Sequence, residues 1–107
     1  MFVGTLSLDL LLGDVRSLKQ KRAVVRPIIA EVRRRHEVSV AEVGHVDLYR
    51  RAEIGVAVVA GEAAHCRTVL DSIERLVAAR PEIELLSAHR RLRSDEDDTL
   101  PSSGVST

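Results

Sequence analysis

Apolar residues recur at every second position from Leu6 to Leu12, with Thr5, Ser7 and Asp9 at intervening positions. A period of two marks a strand with one buried face. Gly13-Asp14 ends it as a turn. The period then changes. Leu18, Val25, Ile28, Ile29 and Val32 fall at helical spacing and make one apolar stripe. Ser17, with Gln20 three residues on, has the form of an N-cap and capping box. Pro27 stands inside this run. An interior proline lacks the helical donor and clashes one turn back, so a kink or a helix in two pieces is expected there.

The stretch from Val38 to Val43 is short and valine-rich and reads as a second strand. His45 to Arg50 is polar and loop-like. From Arg51 to Ala60, Ile54, Val56 and Val58 alternate while Ala57 and Val59 are also apolar, which suits a central strand covered on much of both faces. Gly61 breaks it. Ala63, Cys66, Val69, Leu70, Ile73, Leu76 and Val77 make a second amphipathic helix, closed by Pro81. Ile83 to Leu92 is a fourth strand. Beyond Arg93 the chain turns to acid, serine, threonine, proline and glycine, and residues 94–107 are expected to be a disordered acidic tail.

The resulting order, β-α-β-β-α-β, is that of the ferredoxin-like split βαβ motif. The expected architecture is an α+β sandwich over residues 1–93: one antiparallel four-stranded sheet with two helices on one face and the other face partly open. A length of 107 residues fits one domain that buries a core without staples.

Three blocks carry a family likeness. Ser17-Leu18-Lys19-Gln20-Lys21-Arg22, then Val38-Ser39-Val40-Ala41-Glu42-Val43, then Arg51-Ala52-Glu53-Ile54-Gly55-Val56-Ala57-Val58-Val59 together resemble the YlxP-like family of small bacterial proteins. The likeness spans roughly Phe2 to Leu92. It implies a ferredoxin-like fold, a bacterial cytoplasmic protein, and a gene placed beside translation-initiation and ribosome-maturation genes. It brings no activity with it. Pro27 and the acidic tail depart from the family's pattern.

Charge changes the picture more than composition does. Sixteen basic and sixteen acidic residues cancel, yet they are not mixed. Arg16, Lys19, Lys21, Arg22, Arg26, Arg33, Arg34 and Arg35 face a single acid, Glu31, within their stretch, whereas Asp95 to Asp98 are all acidic. Residues 1–93 carry +4 and the tail −4. The overall pI near 6.9 argues against a strongly electrostatic nucleic-acid binder, but the polarisation suggests a cationic surface on a folded body. One cysteine, Cys66, excludes an intrachain disulfide and a cysteine zinc cluster and fits a reducing compartment. The N-terminus lacks a signal-peptide layout, and its longest apolar run, Leu10 to Leu12, cannot cross a bilayer. A cytoplasmic protein is expected.

At ~100° per residue, Lys19, Arg22, Arg26 and Arg33 fall within about 60° of one another. Such a row could track a phosphate backbone and release counterions. A solvated helix face is the plain alternative. Lys19, Lys21, Arg22, Arg26 and Arg33 are the candidate RNA-binding residues. Stacking recognition is not supported, because Phe2 and Tyr49 are the only aromatics. Glu42 and Glu53, on strands expected to pair, with His45 and Asp47 between them, could do acid–base work or hold a divalent metal, although the spacing matches no closed ligand set. The plainer reading puts Glu53 and Arg51 in cross-strand ion pairs and lets Asp47 cap the loop. His36, His65 and His89 read as surface or helix-end residues, and Cys66 as core. No glycine spacing fits a nucleotide loop. The acidic tail is either a solubilising terminus or a segment that folds back on the basic helix and competes with an anionic partner.

The functional expectation is a non-enzymatic accessory protein, with no catalytic, cofactor-binding or metal residues. It would contact RNA or the ribosome through the basic face of the first helix, in translation or ribosome maturation. The alternative is a homodimeric protein-interaction module with no nucleic-acid role, since an uncovered sheet face or a free edge strand tends to pair.

Overall fold

The computed structural model describes residues 1–95. Six elements follow in the expected order: β1 (Phe2–Leu12), α1 (Leu18–Arg35), β2 (Ser39–Gly44), β3 (Arg51–Ala60), α2 (Ala63–Ala78) and β4 (Ile83–Ser94). The strands form one sheet in the order β2-β3-β1-β4, each neighbouring pair antiparallel. This is the ferredoxin-like arrangement.

Alternation decides what each sheet face does. Leu6, Leu8, Leu10 and Leu12 of β1 and Ala52, Ile54, Val56 and Val58 of β3 are buried, and they share one core with the helices. Val25, Ile28 and Val32 come from α1, and Cys66, Leu70, Ile73 and Val77 from α2. Each large aliphatic side chain in such a core contributes about 1.5–3 kcal/mol of transfer free energy. The residues between them (Thr5, Ser7 and Asp9 on β1; Glu53, Gly55 and Ala57 on β3) line the face the helices leave open.

Helix α1 begins where its sequence says it should. Ser17 is extended (φ −154°) and its Oγ accepts from the Gln20 backbone N–H at 3.1 Å. Gln20 reaches back, accepting through Oε1 from the Arg16 N–H at 2.7 Å. Of the two effects expected of Pro27, a helix in two pieces is corrected: α1 runs unbroken for 18 residues. Pro27 and Ala23, whose carbonyl loses its helical donor to the proline, are both exposed, so water can serve that carbonyl. The helix ends at His36, whose Nε2 lies 3.3 Å from Ser72 Oγ on α2.

Strand β4 runs on to Ser94, one residue past the expected end of the body, and Asp95 accepts from the Met1 amine at 3.1 Å. That hydrogen bond holds the Asp95 carboxyl below its ordinary value. The rest of the expected acidic tail, and with it the idea that the tail covers the basic helix, lies outside the described residues.

Candidate nucleic-acid interface

The outer face of α1 carries the cations. Lys19, Arg22 and Arg26 are exposed, and with Ala23 and Pro27 they line a shallow depression of about 390 Å³. Two small side chains between three long ones create that hollow. Among the described residues, none of the three cations has an ion pair or a side-chain hydrogen bond.

Helix electrostatics does not account for their position. No acid stands in the first turn of α1, where the exposed N–H groups favour negative charge. Lys19 lies in that turn and Arg22 just beyond. A cation there costs roughly 0.3–1 kcal/mol relative to an anion. The other end is conventional, with Arg33, Arg34 and Arg35 in the last turn beside the partial negative charge.

Lys21 does not belong to this row. It is 2% exposed. Its Nζ donates to the His45 carbonyl at 2.7 Å and lies 2.7 Å from Glu42 Oε2 on β2. The Glu42 contact is one of charge more than of direction, since that oxygen receives no well-aligned hydrogen bond. The reason is helical spacing: Lys21 precedes Val25 by four and Ile28 by seven residues and so falls on the inward stripe. Arg33 is exposed, but one guanidinium nitrogen donates to the Val40 carbonyl at 2.9 Å and ties α1 to β2. Three of the five candidate residues therefore make the free row.

Arg35, Arg50, Arg51, Arg80, Arg90, Arg91 and Arg93 do not extend it. Arg51 forms a cross-strand ion pair with Asp9 on β1, as expected, whereas Glu53, expected in such a pair too, accepts from Ser7 Oγ at 2.6 Å instead. Arg50 donates to the carbonyls of Leu12 and Gly13. Arg90 turns to the helix side, 2.6 Å from Asp71 and 3.1 Å from Glu74 of α2; its hydrogen bond to Asp71 raises its pKa above the ordinary value. Arg80 and Arg35 both close on Glu31, the lone acid of the basic stretch. Arg91 and Arg93 remain exposed on the open face, away from α1.

The acidic candidates scatter as well. Glu42 serves Lys21 on the helix side, whereas Glu53 faces the open side. His45 lies 3.6 Å from Asp9, and Asp47 is exposed in the loop. Among the described residues no three His, Cys, Asp or Glu side chains are placed to hold a metal ion. His45 adopts a left-handed backbone (φ 56°), one that histidine accepts more readily than bulkier residues. Its carbonyl is the one Lys21 holds.

Two features had little sequence signal. The β2–β3 loop, which reads as polar, exposes Val46, Leu48 and Tyr49. The open face holds a depression of about 510 Å³, where Val43, on a bulge of β2, lies over Gly55; a Cβ on Gly55 would come within 2.9 Å of it. Among the described residues no helix is long and apolar enough to cross a membrane.

Comparison with known proteins agrees with this architecture. A de novo designed protein with ferredoxin fold, solved by solution NMR, superimposes with a TM-score of 0.53 over 89% of this chain and 88% of its own, at 15% identity. That likeness concerns the fold alone. "Uncharacterized protein YlxP" of Bacillus subtilis (strain 168) is 30% identical over 82 residues, covering 77% of this chain and 89% of the relative. The model of the family described as "Protein of unknown function (DUF503)" matches residues 3–90, a span that takes in all of the α1, β2 and β3 blocks, and the chain belongs to that family.

Proposed function

We propose that this chain is a non-enzymatic, cytoplasmic accessory protein that contacts RNA or the ribosome through the outer face of α1, in translation or ribosome maturation. The observation that carries this reading is the row Lys19, Arg22 and Arg26: three exposed cations on one helix face, without partners among the described residues. Two of them sit near the helix end where the backbone dipole disfavours them. Stability does not ask for positive charge at that place, and a polyanion does. The contacts are to phosphate and shape, not to bases. Phe2 opens β1 and Tyr49 sits in a loop, so no aromatic platform crosses the central strands.

Co-sedimentation with ribosomes at two salt concentrations tests this. The native chain should pellet with ribosomes at low salt and release at high salt. The triple variant Lys19→Glu, Arg22→Glu, Arg26→Glu should stay in the supernatant at both. In a titration with single-stranded RNA, losing three phosphate contacts lowers the slope of log affinity against log salt by about 2. All three side chains are exposed, so an unchanged circular dichroism spectrum should accompany the loss. Native and variant chains that sediment alike would end the proposal.

A further inference from the structure

The sheet has two free edges, and they differ. β2 is a six-residue strand with a bulge, whereas β4 has 12 residues. The inner side of β4 is paired with β1 along its length, and among the described residues its outer side meets no strand. Such an edge presents a row of unpaired N–H and C=O groups, which sequences commonly blunt with charges and bulges. β4 has a register shift around Leu86, and it has charges. The charges, however, are sorted by sign along the strand. Glu84 stands near its start, and Arg91 and Arg93 near its end.

Register shows which of these share a face. Glu84 lies opposite Leu11, Ser87 opposite Asp9, His89 opposite Ser7, Arg91 opposite Thr5 and Arg93 opposite Val3. All five therefore belong to the open face. In an antiparallel ladder, residues of one face also turn their backbone groups toward the same neighbour. Glu84, Arg91 and Arg93 are exposed, and none has an ion pair or side-chain hydrogen bond among the described residues. Arg90, on the other face, is already held by Asp71 and Glu74.

Sorted charges select one partner strand. A second β4 laid parallel puts arginine beside arginine, and like charges directly opposite destabilise a sheet. With Leu86 as the extra residue of the bulge, Glu84 and Arg91 each stand three ladder positions from Ala88, so a second β4 laid antiparallel about a two-fold axis at Ala88 puts Glu84 of each copy opposite Arg91 of the other, and Ser87 opposite His89. We propose that β4 is a homodimerisation edge, through which two copies of this chain join antiparallel and continue their sheets into one of eight strands. The contact is isologous and closes on itself, and the short bulged β2 at each far end does not extend it. α1 packs beside β2, so the cationic row stays uncovered and this inference stands apart from the nucleic-acid reading.

Sedimentation equilibrium of the full chain at low salt, with a charge swap, tests it. The native chain should sediment as a dimer. Arg91→Glu sets carboxylates against each other at both symmetry-related positions and should weaken the dimer roughly thirtyfold. Adding Glu84→Arg to that variant should restore native association, because the pairs re-form with reversed sign. All of these side chains are exposed, so the three chains should share one circular dichroism spectrum. A native chain that is monomeric up to about 1 mM overturns the proposal. So does a dimer indifferent to Arg91→Glu, or one weakened by it and not rescued by Glu84→Arg.

Discussion

Glu42→Ala and Lys21→Met break the same ion pair, and the structure says they will not cost the same. The Lys21 side chain is 3% exposed and that of Glu42 is 26% exposed. Removing Glu42 leaves an ammonium group in the core with the His45 carbonyl as its remaining neighbour. Stripping one partner from a buried pair costs about 3–5 kcal/mol. Replacing Lys21 with methionine puts an apolar chain of similar length into the stripe of Val25 and Ile28. The Glu42 carboxylate can then hydrate from its exposed side, and the main loss is the donor to His45, about 1–2 kcal/mol. Glu42→Ala should therefore be the worse change by about 2 kcal/mol. The double variant should be more stable than Glu42→Ala alone, because the stranded charge is gone. Urea unfolding at neutral pH of all four chains in the cycle, with equal m-values as the check on two-state behaviour, measures each term. Equal costs, a worse Lys21→Met, or simple additivity would refute the reasoning that Lys21 is a committed interior cation.

Three further outcomes are expected. Ser17→Ala removes the hydroxyl that caps α1 and should lower stability by about 1 kcal/mol, read as a fall in urea midpoint at constant m-value. Lys19→Glu replaces a cation with an anion in the first turn of α1. It should raise stability by about 0.3–1 kcal/mol while weakening RNA binding, and a loss of both would contradict the dipole argument. Cys66 is fully buried, so an aromatic disulfide reagent should modify it at a rate that follows global unfolding across a urea series; fast labelling in native buffer would contradict its core position.

Periodicity alone was enough for most of the fold. A period of two placed β1 and the β3 bounds, Arg51 to Ala60, and a period near 3.6 placed both helices. The departures have physical causes. Pro27 reads as a kink or a break, but it does not divide the helix, because an exposed carbonyl one turn back can turn to water, and the packing of Val25, Ile28 and Val32 outweighs one missing bond. Lys21 reads as one more cation in a basic run. The wheel that gathers Lys19, Arg22 and Arg26 sends it to the opposite side, so its burial was legible, while its partner Glu42 was not. Partners across the sheet depend on register, which composition does not reveal. Arg51 meets Asp9 and Glu53 meets Ser7 because β1 lies beside β3, and nothing local to Arg51-Ala52-Glu53 announces this. In the same way Arg90 is taken by acids of α2, and among the described residues three candidate cations are left free on α1.

Lys21 stands between Lys19 and Arg22 in the chain and is fastened beneath them, to β2 and to the loop carbonyl of His45. A helix riveted at that point resists rolling on the sheet, and its three outward cations spring from a fixed backbone spacing, like the teeth of a comb. Any charged polymer that lies against such a comb must do the bending itself. Pliant single strands would settle on it at lower cost than stiff duplexes, and discrimination would arise from mechanics rather than from any letter of the polymer's sequence.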